Sequence, residues 1–494
     1  MRPFSQRPID GLRREANLQL DPVRRAEFGQ FMTPTAIADF MASLFTRFPV
    51  HTRLLDPGAG VGSLSDAFAT RFCAQAPAGS SLDIEFYEIE PILLQYLSSH
   101  LQTLAAQAES QGHKLKYSIH KQDFIAEASF VLGFGEPRFT HAILNPPYKK
   151  IGASSEHRML LRSLGIETVN LYTAFLGLAV AHVEDGGEIV AIVPRSFCNG
   201  TYYRPFRRWL LKRVAFRHIH VFESRKKAFE EDDVLQENII VHLHRGGVPK
   251  AVTVSTSHDP SFSDYQEQAL QYSEIVDPLD PQCFIRIPTL AIKGASELLT
   301  HALDDLGLTI STGPVVDFRV REFWLSEPRA ACAPMLYAHH FKGGCFTWPK
   351  KHKKPNAVRL TDETRKWLMP RGCYTITKRF SAKEEKRRLV AYVVDPALLP
   401  YDLYGFENHL NVFHQAKRGL APDLARGLAL FLNSTAAERS FRNFSGHTQV
   451  NATDLRSMRY PNRSLLMKFG EWARSHEHVD QDMIDNYIDS QHGE

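Results

Sequence analysis

Residues that could do chemistry together are concentrated in the first third of the chain. The tetrapeptide Asn145-Pro146-Pro147-Tyr148 directly follows an apolar run, Ala142-Ile143-Leu144. A planar aromatic amine is a poor nucleophile because its lone pair is delocalised into the ring. Two acceptors, the Asn145 side-chain oxygen and the Pro146 carbonyl, could hold its two N–H bonds and favour a tetrahedral nitrogen. The prolines would fix the direction of that carbonyl, and Tyr148 would stack on the ring. Alone, in an arbitrary protein, the tetrapeptide reads more readily as a proline-stiffened turn. Its neighbours argue for more.

Leu54-Leu55-Asp56-Pro57-Gly58-Ala59-Gly60-Val61-Gly62-Ser63 ends a strand, turns on glycines and opens a helix, with Asp56 89 residues before Asn145. Glycines let a ligand approach the backbone, and the following helix offers free N–H groups. An acid ahead of the first glycine would repel a pyrophosphate, whereas Asp56 can receive the ammonium group of a methionine moiety. Tyr87-Glu88-Ile89-Glu90-Pro91 places Glu88 at a second strand tip, suited to ribose hydroxyls. Gln122-Asp123-Phe124 follows a third, where Asp123 could bind an adenine amino group and Phe124 pack on its ring. Acids at successive strand tips point to S-adenosylmethionine, with Gly58, Ala59, Gly60 and Ile89 at the same edge.

The elements that must hold these tips alternate. Strand-like runs at Leu54-Leu55, Ile84–Tyr87, Tyr117–Ile119, Ala142–Leu144, Ile189–Val193, Ile219–Phe222 and Ile239–Leu243 are mostly separated by helical stretches, the pattern of a doubly wound α/β sheet. Thr33 is expected to cap a helix with Pro34 in its first position, and Ile37, Phe40, Met41, Leu44 and Phe45 fall on one face. A basic helix from Tyr203 to Val214 reads as a sheet cover or a phosphate contact. Residues 246–290, rich in Pro, Ser and Asp, mark a domain boundary.

At 494 residues two domains are expected, 1–285 and 286–494, the second α+β. No run approaches the roughly 18–20 apolar residues of a membrane helix. The six scattered cysteines suit reduced thiols, and a cytoplasmic protein without membrane association is expected. His-x-His pairs in strand-like runs read as surface or sheet residues, so no metal is expected. The net charge is only +4, but Phe341–Val390 carries 15 Lys+Arg against 4 Asp+Glu, leaving −7 elsewhere. Interleaved with Phe346, Trp348, Trp367, Tyr374 and Phe380, this segment reads as a polyanion-binding surface or a solvated basic face. Lys350, Lys351, Lys353, Lys354, Lys378 and Arg379 are its candidate phosphate contacts.

The order of motifs resembles the gamma-class, Taq-type adenine methyltransferases of bacterial restriction–modification systems. Phe28-Gly29-Gln30-Phe31-Met32-Thr33-Pro34 matches that family's N-terminal cofactor motif, making Phe28, Gln30 and Thr33 cofactor contacts. Asp56–Gly60 matches the glycine loop, Glu88 the ribose acid, Asp123-Phe124 the adenine contact, and Gly186–Pro194 the fifth strand. Phe229 aligns with an aromatic that sandwiches an extruded base, with Phe222 as its rival. Ser445–Asn451 followed by Asp454-Leu455 resembles the recognition domains of the class, PstI/BsuBI-type modification enzymes being the nearest comparison, and makes His447 and Gln449 candidate DNA contacts.

The resemblance implies a Rossmann-like S-adenosylmethionine-dependent domain with a target-recognition domain after it. It implies Asn145, Pro146 and Tyr148 acting on a flipped adenine in double-stranded DNA. It also implies a bacterial or archaeal monomer or weak dimer paired with a separate restriction endonuclease. Rival readings are an Asn-Pro-Pro-Tyr enzyme acting on an RNA base or a protein glutamine, and a catalytically silent DNA-binding specificity protein.

Overall fold

The structure, a computed structural model, describes residues 7–21, 32–134, 138–222, 237–288, 298–342, 345–380, 387–444, 449–476 and 479–491. It divides into two compact units, Met1–Leu290 and Ala291–Glu494.

Among the described residues the first unit is built on one nine-stranded sheet. Its strands are β1 (His51–Pro57), β2 (Ser81–Tyr87), β3 (Lys114–His120), β4 (Phe139–Leu144), β5 (Val183–Pro194), β6 (Val214–Phe222), β7 (Asn238–Arg245), β8 (Val252–Ser257) and β9 (Gln266–Leu270). They lie in the order β3-β2-β1-β4-β5-β7-β6-β8-β9. The first five are parallel, β7 runs antiparallel between β5 and β6, and β9 closes the edge antiparallel to β8. This is a doubly wound α/β sheet. Every residue of β4 is buried, as a central parallel strand covered on both faces requires. Strand order reverses between β1 and β4, and open α/β sheets bind ligands outside the carboxyl ends of the strands at such a switch point.

Two local outcomes differ from the sequence reading. The helix after the N-terminal motif spans Thr35–Ser43, with Pro34 as its N-cap at φ −60°, ψ 149° and no side-chain cap. The pyrrolidine ring suits a helical φ, but the extended ψ holds Pro34 outside the helix. Ile37, Phe40, Met41 and Phe45 are buried as expected. The Pro- and Ser-rich stretch after residue 246 contributes β8 and β9 to the sheet. Its polar residues escaped notice because β8 buries serines as well as valines: Ser255 Oγ meets His218 Nε2 at 2.6 Å and His220 Nδ1 at 2.8 Å. His218, His220 and His242 are buried sheet residues, the second of the two alternatives their strand-like runs offered.

The expected basic helix forms over Arg204–Leu211. Arg207 is wholly buried, donating to the carbonyls of Phe197, Gly200, Gln282 and Cys283, so it is a structural tether. Arg208 and Lys212 are exposed.

The second unit is α+β. A four-stranded antiparallel sheet orders Thr309–Thr312, Leu410–His414, Tyr374–Lys378 and Ala391–Val394. A five-stranded mixed sheet and helices including Pro422–Leu432 and Arg463–Arg474 complete it. The two helices pack closely at glycines: a Cβ on Gly427 would lie 1.7 Å from the Leu466 carbonyl oxygen.

Candidate active site

The carboxyl ends of β1 to β4 surround a cavity of about 330 Å³, within the range of small-molecule sites. The turn after β1 forms one wall. Gly58, Gly60 and Gly62 have φ of +72°, +60° and +89°, a region L-residues rarely enter. Gly58 and Ala59 donate their N–H groups to the Tyr87 carbonyl at 2.8 and 3.0 Å, which fastens the turn to the end of β2. Gly62 caps the Ser63–Gln75 helix, and a Cβ there would come within 2.9 Å of Leu97 Cδ1. Gly58, Ala59 and Gly60 line the cavity.

Asp56 does not line it. The residue is fully buried: Oδ2 accepts from Ser65 Oγ at 2.5 Å, while Oδ1 is buried without a hydrogen-bond partner. Burial pushes its carboxyl up to about 7, with the Glu88 charge adding to the rise and Ser65 opposing it. Direct contact with a methionine ammonium, expected from its place before the glycines, is replaced by a buried carboxyl behind them. The Asp56 side chain turns instead to Ser65 in the first turn of the Ser63–Gln75 helix.

Glu88 does line the cavity. Its Oε2 accepts from Gly60 N at 2.8 Å, and Oε1 from the N–H groups of Ile89 at 2.8 Å and Glu90 at 2.9 Å. Three amides thus fix the carboxylate and tie the second strand tip to the glycine turn. Burial raises its pKa, against those hydrogen bonds. Ile89 is also in the wall, about half exposed.

Asp123 and Phe124 form the third side. Asp123 Oδ1 accepts from Ala126 N at 2.9 Å at the start of the Phe124–Phe134 helix and lies 3.1 Å from His157 Nε2. Burial alone would raise the Asp123 carboxyl, but His157 and the helix amides outweigh it and hold it below its usual value. The same hydrogen bond raises the His157 imidazole. Phe124 packs against Tyr87 and Phe175, at ring-centroid distances of 4.9 Å to each.

His157, Lys149, Lys150, Met32 and Phe175 also line the cavity and were not singled out from the sequence. The lysines could have been, since they continue the Asn-Pro-Pro-Tyr turn. His157 carries no local signal, and only the return of the Glu156–Ser163 helix brings it to Asp123.

The fourth side is the turn after β4. Asn145 and Pro147 line the cavity, whereas Pro146 is buried. Asn145 Nδ2 donates to Thr33 Oγ1 at 3.0 Å, and the Tyr148 hydroxyl donates to Asn145 Oδ1 at 3.2 Å. Thr33, expected to cap a helix and touch cofactor, lines the cavity and holds the Asn145 amide. Tyr148 is 7% exposed, is not part of the cavity wall, and meets Tyr172 edge-on at 6.2 Å. The ring is core packing in this state. Its hydroxyl faces the site, a role its aromatic character alone did not suggest.

Phe28, Gln30, Phe229 and His447 lie outside the described residues. Phe222, the rival stacking candidate, is buried. Of the basic residues in the second unit, Lys351 and Lys353 are exposed. Lys350 Nζ donates to the His339 carbonyl at 3.0 Å, Lys354 pairs with Asp317, and Lys378 Nζ lies 5.4 Å from the centre of the Tyr392 ring. The Arg379 amide donates to the His409 carbonyl at 2.9 Å, and Gln449 bridges Phe380. Half of the lysine run thus has a local protein partner, which weakens the reading of all four as phosphate contacts. Among the described residues no group of three or more His, Cys, Asp or Glu could hold a metal, and no helix is long and apolar enough to cross a membrane.

A family model described as the Eco57I restriction-modification methylase matches residues 67–229. The chain is 44% identical over 489 residues to the type II methyltransferase M.BsuBI of Bacillus subtilis, covering 96% of each chain. It is 40% identical to the type II methyltransferase M.PstI of Providencia stuartii, covering 94% of each. The type II methyltransferase M.AccI of Acinetobacter calcoaceticus is similar over a shorter stretch, 22% identical across 45% of this chain and 38% of the other.

Proposed function

The chain belongs to the type II methyltransferases of restriction–modification systems, and we propose that it methylates the exocyclic amino group of an adenine within a short duplex sequence. S-adenosylmethionine is the methyl donor: its sulfonium supplies an activated methyl group. The residues present fit that group. Gly58 and Gly60 leave a side-chain-free wall, the unpartnered Oδ1 of Asp56 gives a positive ligand a buried counter-charge, and Glu88 and Asp123 offer carboxylates along the cavity.

The observation that carries the adenine reading is the Asn145 amide. It stands at the tip of β4 with its nitrogen donating to Thr33 and its oxygen accepting from the Tyr148 hydroxyl, and the side chain lines the cavity. An acceptor there draws density toward an amine nitrogen as its N–H bonds shorten their contact, and it stabilises the positive charge that develops on that nitrogen. Asn145, with the Pro146 carbonyl next to it in the turn, would orient the nitrogen's lone pair. To present its amine, an adenine must leave the duplex, which costs a few kcal/mol. The second unit, with Lys351 and Lys353 exposed, serves as the target-recognition domain, and the partner is double-stranded DNA guarded against a separate endonuclease.

Single-molecule sequencing of DNA from cells expressing the chain tests this reading. N6-methyladenine confined to one short motif is expected. Modified cytosine, or no modification over the background strain, would overturn it.

A further inference from the structure

Asn145 is placed between two hydroxyls of unequal character. An amide's carbonyl and amino ends have nearly the same shape, so its neighbours alone decide which end is presented to a substrate. Thr33 Oγ1 lies 3.0 Å from Asn145 Nδ2, and the Tyr148 hydroxyl lies 3.2 Å from Oδ1. Either hydroxyl can in principle donate or accept. The phenol is the stronger donor and the weaker acceptor of the two, because its oxygen lone pair is drawn into the ring. Burial raises the Tyr148 pKa further, so the donor proton stays in place at any working pH.

The alkyl hydroxyl of Thr33 is the better acceptor. Its backbone allows it to act on Asn145: Pro34 occupies the N-cap with no side-chain cap, so Thr33 is not drawn into capping the Thr35–Ser43 helix. Thr33 is 4% exposed, and little water reaches it to compete.

We infer that Thr33 and Tyr148 fix the polarity of the Asn145 amide, and that Thr33 is thereby a specificity-determining residue which makes the site read an amine and reject a carbonyl at the same position of a purine. The inference rests on the amine-transfer reading above and deepens it. With the nitrogen held by Thr33, the oxygen end meets the substrate. A 6-amino purine donates to it. A 6-oxo purine opposes it with a second acceptor, leaving both unpaired in a confined site, which is the arrangement by which polar sites discriminate most strongly. Without the Thr33 acceptor one of the two hydroxyls that set the amide's polarity is gone, and the turned-over amide, which offers its NH₂ to a 6-oxo group, becomes less unfavourable. Thr33 is a positioning residue here: it need not touch the target base.

The test uses the full-length protein and a pair of duplexes that differ only in carrying adenine or hypoxanthine at the target position. Affinity for each duplex, single-turnover methylation of the adenine duplex and cofactor affinity by calorimetry are measured for the wild type, Thr33→Val, Thr33→Ser and Tyr148→Phe. The intrinsic ease of extruding each base is common to all four proteins and cancels in the comparison. Thr33→Val, isosteric but without the acceptor, is expected to narrow the adenine-over-hypoxanthine preference about tenfold and slow transfer by about the same factor, the worth of one neutral hydrogen bond at the upper end of its range. Cofactor affinity should change less than about twofold. Thr33→Ser restores the acceptor and should recover most of the preference, and Tyr148→Phe should narrow it in the same direction.

A Thr33→Val protein that loses rate and cofactor affinity together, with its base preference intact, would overturn the inference and make Thr33 a cofactor contact only. If Thr33→Val does not fold, Thr33→Ala removes the same acceptor without introducing bulk, and the same preference decides. A wild type that fails to methylate the adenine duplex would instead overturn the amine-transfer reading itself.

Discussion

Asn145→Ala is expected to lose at least about a hundredfold in methyl transfer, the loss typical of removing one preorganised polar group from a reacting centre, while binding S-adenosylmethionine nearly as tightly as the wild type. The two effects separate because of where the side chain stands. Its amide is bonded to Thr33 and Tyr148, whereas the glycine turn is held by the Tyr87 carbonyl and the Glu88 carboxylate, which the substitution does not touch. Calorimetry gives the affinity and single-turnover transfer of a labelled methyl group gives the rate. Parallel losses in both would show that Asn145 supports the cofactor pocket instead of the amine. Retention of a large part of the activity would remove it from the chemistry.

Asp56→Asn is expected to stabilise the ligand-free protein at pH 8 and weaken cofactor binding. The Asp56 carboxyl is raised from 3.8 to about 7. A carboxyl whose folded pKa is raised contributes stability below its unfolded pKa and loses it as pH rises through the folded value. The wild type should therefore lose stability between about pH 4 and pH 7, by up to about 4 kcal/mol for a shift of about three units, since each unit is worth 1.36 kcal/mol. Asparagine keeps an acceptor for Ser65 and never ionises, so the variant's stability should be flat in that window. A cationic ligand restores the value of the ionised form, so the affinity lost by the variant should be greater at pH 8 than at pH 6. Melting temperatures of both proteins from pH 5 to 8 check this. Superimposable profiles would mean that Asp56 is already ionised in the ligand-free fold.

The parts of the site written in local sequence were legible. The glycines after β1, the acids after β2 and β3 and the Asn-Pro-Pro-Tyr turn after β4 each sit at a strand end, and strand ends are visible as apolar runs meeting a turn. What sequence spacing could not show was which way a side chain turns once there. Asp56 faces Ser65 behind the loop, not the cavity. Tyr148 sends its ring into the core and only its hydroxyl toward Asn145. His157 joins the site through a helix that folds back on Asp123. The polar strand β8 was unreadable for the opposite reason: its serines are buried because histidines of β6, more than thirty residues earlier, satisfy them. In the second unit, short strands and paired lysines left composition as the only guide, and composition does not reveal that Lys354 is tied to Asp317.

Adenine as the methylated base is the central claim, and direct identification of the product tests it most simply. Purified protein is incubated with unmethylated bacterial DNA and S-adenosylmethionine labelled on its methyl group, the DNA is digested to nucleosides, and the label is located by chromatography. The account predicts that it co-elutes with N6-methyldeoxyadenosine and disappears for Asn145→Ala. Label eluting with a methylated deoxycytidine would contradict it.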